Sequence, residues 1–162
     1  MKKNRKPKEL SAVKLIAQNR KVRYDYEVLL SLEAGIELRG TEVKSLRDGK
    51  VNLKDSYARI DMGEVFLMNL NIGAYEPGNR FNHDPERPRK LLMHTWEIRR
   101  LMGQTEQRGL TLVPTRLYFK KGRAKVEIAL VRGKQAHDRR RDIADRDAKR
   151  SVDRALAEAQ KR

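Results

Sequence analysis

The 162-residue chain contains no cysteine, which excludes disulfides and thiolate metal sites and fits a reducing compartment. It has no apolar run near the roughly 18 residues of a membrane span. Its N-terminus, Met1-Lys2-Lys3-Asn4-Arg5-Lys6-Pro7, lacks the apolar core of a secretory signal. A Gly-rich phosphate loop, a nucleophile motif and Cys/His ligand spacing are absent too. Acids are in short supply, 22 Asp and Glu against 38 Lys and Arg, for a formal net charge of +16. Length allows one domain of ordinary size plus an extension. The first reading is a polyanion binder of the cytosol, hence a cytoplasmic protein.

The charge is unevenly placed. Residues 1–23 carry nine basic groups and one acid, and residues 24–79 carry six and ten. Residues 80–133 carry thirteen and five, and residues 134–162 carry ten and six. Basicity therefore belongs to an arm (1–18), the second half of a body (19–133) and a tail (134–162), a pattern that uniform charging for solubility would not produce.

The body reads as mainly β. Tyr24, Tyr26, Val28 and Leu30 alternate with Asp25, Glu27 and Leu29, as in a half-buried strand. Glu33-Ala34-Gly35 breaks the pattern before Ile36 and Leu38 resume it. Residues 56–60 and 64–70 flank Asp61-Met62-Gly63, a short hairpin loop whose Gly can take positive φ. Residues 110–119 and 123–131 form a second hairpin around Lys120-Lys121-Gly122, and Pro114 places an edge or bulge in its first strand. One helix follows Thr41 as N-cap and stops at Gly49, with Val43 and Leu46 on its buried face. Another begins near Thr95, buries Ile98, Leu101 and Met102, and stops before Gly109. Three prolines mark 75–90 as a long surface loop. About six antiparallel strands with two or three short helices predict a small closed barrel related to the OB-fold, with an open β-sandwich as competitor.

The tail has only Ile143, Val152 and Leu156 as large apolar residues, too few to offset the entropy of ordering it alone. Yet it has no Gly or Pro, recurrent Ala, and acid-before-base pairs Asp142–Arg146, Asp145–Lys149 and Glu158–Arg162 at helix spacing. It is expected to be marginal as a free helix and good as a bound one.

A longer constellation then stands out. Leu38-Arg39-Gly40-Thr41-Glu42-Val43-Lys44-Ser45-Leu46-Arg47, followed by Asp55-Ser56-Tyr57, closely resembles the small protein B family of SsrA-binding proteins. Asn19-Arg20-Lys21 ahead of Tyr24 and Tyr26, Glu33-Ala34-Gly35, Arg89-Lys90-Leu91-Leu92, and Gly133-Lys134 with Asp138-Arg139-Arg140 fit in family order. Gln135 departs from a usual second Lys, and Arg139 stands where Lys is usual.

The resemblance implies an OB-like barrel that binds the tRNA-like part of transfer-messenger RNA and accompanies it into stalled bacterial ribosomes. The tail, disordered when free, would enter the decoding site and the empty mRNA channel as a helix against 16S ribosomal RNA, with elongation factor Tu in the delivery complex. No catalysis and no cofactor are implied. The barrel residues it assigns to RNA are Asn19, Arg20, Lys21, Tyr24, Glu33, Lys44, Arg47, Lys90, Leu92 and Lys125. The tail residues are Gly133, Lys134, Gln135, His137, Asp138, Arg139 and Arg140.

Other readings stand beside these. Glu33 is a turn residue or an acceptor for base amines and 2′-hydroxyls. Leu92 is core or, by resemblance alone, part of the RNA site. Lys90 and Lys125 read as phosphate contacts rather than ion-pair partners, because their region has a basic excess. Tyr24, Tyr57, Tyr118 and Trp96 read mostly as core. His83-Asp84 with Glu86, and His137-Asp138, suggest a metal-dependent nuclease, although a solvated turn beside Pro85 accounts for the first group. A ribosomal or ribosome-assembly protein is the nearest alternative function.

Overall fold

The computed structural model describes residues 13–160, so most of the basic arm lies outside the described residues. Nine strands and four α-helices follow in the order β1 (Val13–Gln18), α1 (Val22–Asp25), β2 (Tyr26–Ile36), α2 (Gly40–Arg47), β3 (Val51–Asn52), β4 (Tyr57–Asp61), β5 (Glu64–Met68) and β6 (Asn71–Ile72). After a 3-10 turn (Glu76–Phe81) come β7 (Arg89–Leu92), α3 (Thr95–Thr105), β8 (Leu110–Lys120), β9 (Arg123–Gly133) and α4 (Ala136–Ala159). The main sheet is antiparallel, in the order β1-β8-β4-β5-β7-β2-β9. Because β9 also pairs along the length of β8, the ladder leaving β8 through β4 returns to it. Val65, Leu67, Leu91, Leu112, Leu117, Val126 and Ile128 point to the inner side and form the core.

Both expected hairpins form. Met62 and Gly63, and Lys121 and Gly122, are pairs of positive-φ residues, the two-residue turn that matches strand twist. The β8 register shifts between Pro114 and Arg116, where the missing donor of Pro114 demanded it. Gly49 takes φ +73° behind α2, and α3 begins at Thr95 and buries Leu101.

Several expectations are corrected. Instead of about six strands there are nine among the described residues. The chain does not break at Glu33-Ala34-Gly35: β2 runs through it, and Gly35 is there because a Cβ would stand 3.1 Å from Cβ of Leu92 on β7. Tyr24 is not in a strand but in α1, whose Val22 packs on a second small cluster of Val113, Ala129 and Val131. The N-cap of α2 is Arg39, whose N–H donates to Glu42 Oε2 at 2.8 Å, while the buried Oγ1 of Thr41 has no hydrogen-bond partner. Strand β1 falls in the stretch read as an arm, and β7 starts inside the stretch read as a loop.

In sequence β7 does not read as a strand because Arg89 occupies an inward position, at 0% exposure. Its Nε donates to Glu42 Oε1 at 2.9 Å, and its remaining donors reach the carbonyls of Leu70 (2.5 Å), Arg87 (3.1 Å) and Pro85 (2.9 Å). Arg87 adds a second guanidinium to the same carboxylate. A desolvated ion pair is tolerable only with every hydrogen-bonding group satisfied.

Burial pushes the Glu42 carboxyl up, but Arg87, the Arg39 amide and Arg89 outweigh it and hold it below its ordinary 4.5. A folded value below the unfolded one contributes stability that is complete above about pH 4.5 and is lost as pH falls through the folded value. Glu42→Ala strands two arginines and should cost about 3–5 kcal/mol, read as a lower urea midpoint at pH 7. The loss should shrink on acidification; a pH-independent difference would contradict this account of the pair.

Candidate nucleic-acid interface

Register decides which side chains share the outer surface. With Ala34, Leu91, Leu117 and Val126 buried inside, the alternate residues Glu33, Lys90, Tyr118 and Lys125 face out. Tyr118 lies opposite Lys125, and Glu33 opposite Glu127. An open groove of about 620 Å³ collects Glu33, Lys90, Leu92 and Lys125, four of the expected RNA residues, with Glu64 and His94 on its walls.

Glu33 is the most constrained group here. Its carboxylate accepts from the Tyr118 hydroxyl at 2.5 Å and the Lys120 ammonium at 2.9 Å, with Lys125 at 3.8 Å. The Tyr118 hydrogen bond, then that of Lys120, draws its pKa below the ordinary value. Tyr118 moves the other way, pushed up by burial and by the carboxylate it serves. The opposing Glu127 is satisfied by Arg116 and by Thr115 Oγ1 at 2.7 Å, so two acids sit side by side without bare repulsion. The result is a fixed, ionised acceptor surrounded by cations.

Lys90 and Lys125 make ion pairs with Glu64 and Glu33 respectively, partners that the basic excess of their region did not suggest. Half-exposed pairs of this kind contribute about 0–1 kcal/mol, so neither is locked away from a phosphate. Leu92 is 55% exposed and Trp96 61%, so neither is core; Tyr57 is likewise exposed, while Tyr118 is buried.

Asn19 and Arg20 lie further along the same side. They border a hollow that also contains Ser31 and Glu127, and Ser31 is two positions from Glu33 on one face of β2. Asn19 Nδ2 reaches the Leu53 carbonyl at 3.5 Å, and Lys21 is exposed beside Asp25 at 3.8 Å. Tyr24 is half-buried in α1. Lys44 is elsewhere, its ammonium 5.3 Å from the Tyr75 ring centroid, and Arg47 is exposed at the end of α2.

The tail is rooted on α1. Gly133 closes β9 opposite Tyr26. The Lys134 N–H donates to the Asp25 carbonyl at 2.9 Å, and its ammonium to the Arg23 carbonyl at 3.0 Å and to Asp142. Arg139 stands 4.0 Å from the Asp25 carboxylate. Beyond this root α4 buries no residue over its 24 positions. Gln135 is its N-cap, with Asp138 accepting the Gln135 N–H at 3.3 Å; His137 pairs with Asp138 at 3.0 Å, and Arg140 is exposed. Elsewhere, Arg39 donates to His83 Nδ1 at 3.2 Å.

Tyr118, Lys120 and Asp25 were not among the expected site residues. Counting back from the Lys121-Gly122 turn puts Tyr118 opposite Lys125, so that pair was accessible. The approach of Glu33 was not, since it depends on pairing of β2 with a strand some 90 residues later.

These features define a class first: an antiparallel β domain whose outer groove sets lysines beside ion-paired glutamates, in a strongly basic chain with a charged helical extension. Residues 16–158 match the family described as SmpB protein. An SsrA-binding protein of Pelotomaculum thermopropionicum is 56% identical over 147 residues, covering 91% of this chain and 96% of the relative. That of Desulforudis audaxviator is 60% identical over 142 residues, 88% of this chain and 93% of the relative. The chain is also similar, with TM-score 0.64 and 56% identity over 74% of it and 85% of the other, to a solved structure described as "tmRNA-SmpB: a journey to the center of the bacterial ribosome". The chain belongs to the SmpB family.

The raised Tyr118 group gives a direct check on the Glu33 cluster. A tyrosinate absorbance titration should find one of the five tyrosines still protonated above about pH 11, and Tyr118→Phe should abolish that late fraction. Glu33→Gln should move it to lower pH; no movement would mean that the carboxylate does not hold the phenol.

Proposed function

We propose that this chain is a non-enzymatic, cytoplasmic RNA-binding protein that binds the tRNA-like part of transfer-messenger RNA. It would carry that RNA, with elongation factor Tu, to stalled ribosomes for trans-translation and rescue. The carrying observation is the groove in which Glu33, Lys90, Leu92 and Lys125 meet, in a chain of the SmpB family. Solved relatives include a tmRNA–SmpB structure concerned with the ribosome. In this reading the returning ladder is a closed OB-like barrel, and residues 19–133 together with β1 are the RNA-binding domain, preceded by the basic residues ahead of β1. Asn19, Arg20, Lys21 and Tyr24 extend the groove along the Ser31 side of β2, and Lys44 and Arg47 contribute from α2. Glu33 supplies an ionised acceptor for base amines or 2′-hydroxyls amid phosphate-binding lysines.

The tail, 134–162, works separately. Disordered in the free protein, it folds as α4 in the decoding site and mRNA channel, setting His137, Arg139 and Arg140 against 16S ribosomal RNA. Lys134 and Asp138 orient the first turn after Gly133 and Gln135. The support is that α4 has helix-favouring composition but buries nothing outside its root, so binding must supply the missing contacts.

Two sets of variants test the reading. Lys90→Ala should weaken binding of the tRNA-like RNA and flatten its salt dependence by about one counterion. Glu33→Ala should weaken specific binding without weakening affinity for random RNA. A chain ending at Gly133 should bind the RNA nearly as well as the full chain yet fail to support peptide tagging on stalled ribosomes. Ile143→Pro should do the same, since an interior proline costs a helix about 3 kcal/mol. Loss of RNA affinity in proportion to tagging would refute the division of labour.

A further inference from the structure

A second hollow of about 670 Å³ lies between α2 and the 3-10 turn. Lys44, Tyr75, Arg80, Phe81 and His83 are among its walls, and none of its lining residues is acidic. The Glu33 groove, by contrast, includes three glutamates. This is unexpected from sequence, because residues 24–79 are the one acid-rich stretch of the chain. No acid of that stretch lines the hollow, and Glu76, between Tyr75 and Pro77, pairs instead with Lys50 at 3.2 Å.

Phe81 is 66% exposed, and an isolated exposed Phe would need no explanation. This one is held in a loop built to present it. The Asn82 side chain clamps both backbone groups of Tyr75 at 2.8 Å, and the Gly78 N–H donates to the Tyr75 carbonyl at 2.8 Å. A Cβ on Gly78 would come 3.2 Å from Thr41 Cγ2, so the loop lies close against α2. The Arg80 guanidinium stands 5.3 Å from the Phe81 ring centroid, and Lys44 caps Tyr75 at the same distance. A flat apolar platform beside exposed cations, with no carboxylate among the lining residues, suits a planar base attached to a phosphate.

We propose that this hollow is a second RNA contact, which takes one unpaired nucleotide with its base stacked on Phe81 and its phosphate facing Arg80 and Lys44. It is distinct from the Glu33 groove and does not depend on what that groove binds. Because stacking is tolerant of base identity, the site discriminates unpaired from paired RNA rather than one sequence from another. A chain with two such faces can hold two RNA segments at once.

The test uses the full chain and fluorescein-labelled hexauridylate and hexaadenylate, read by anisotropy. Phe81→Ala should weaken both oligonucleotides about tenfold, within the range of one lost stack, and leave the affinity for folded tRNA-like RNA unchanged. Arg80→Gln should reduce the salt slope of oligonucleotide binding by about one. A hexamer carrying 4-thiouridine should cross-link to the peptide that contains Phe81. Wild-type oligonucleotide affinity in Phe81→Ala, or cross-links confined to the tail, would overturn the proposal. So would an equal loss for tRNA-like RNA, which would merge the hollow with the groove. Displacement of the hexamer by hexaglutamate, whose own binding fell equally in Phe81→Ala, would assign the hollow to an acidic protein segment instead.

Discussion

One carboxylate, that of Glu42, organises more of this chain than any apolar residue does. It caps α2 through the Arg39 N–H and meets two guanidinium groups, of which Arg89 is wholly enclosed. Through Arg89 it reaches the backbone of Leu70 after β5 and of Pro85 in the long connection. Helix, strand and loop are thus tied at a single point by directional bonds. Apolar packing tolerates sliding, whereas a bidentate guanidinium–carboxylate arrangement does not. The groove and the second hollow lie on either side of this tie, since Lys90 follows Arg89 in β7 and Lys44 is two residues from Glu42 in α2.

Acid inside a cation-rich protein is therefore used in two ways. Glu42 is consumed by structure. Glu33 and Glu127, on neighbouring strands, stay at the surface and are kept ionised by Tyr118, Lys120 and Arg116. On the proposed reading, a polyanion approaching this face meets part-exposed lysines in weak ion pairs, together with the fixed Glu33 carboxylate. Charge alone would attract any nucleic acid, and on that reading a fixed acceptor would add a geometric demand.

Much of this was legible in the sequence wherever the information was local. Two-residue turns, the Pro114 irregularity, the Gly49 stop and the start of α3 follow from residue chemistry over a few positions. The long motif around residues 38–47 was enough to point to the family. What stayed hidden was information carried by distant partners. An arginine at an inward strand position reads as a loop until Glu42 is seen beneath it, and so β7 was lost. Gly35 reads as a break until Leu92 is seen against it. Trp96 reads as core until α3 is seen to turn its Ile98 and Leu101 side inward. The expected site residues were mostly on the surface, but which of them share a groove depends on the pairing of β2 with β7 and β9, and no count along the chain supplies that.

The attachment of α4 to α1 has a mechanical consequence. Once folded as a helix, its 24 residues make a rod about 36 Å long, held among the described residues at its root by Lys134, Arg139 and Asp25. Such a rod is a lever: a tilt of ten degrees at the grip sweeps the far end through about 6 Å. The grip is partly ionic, so salt or a competing phosphate near Asp25 loosens it. The direction in which the extension points is thereby set where its first residues meet the four-residue helix α1, just ahead of the domain's first long strand, and whatever touches α1 steers the tip.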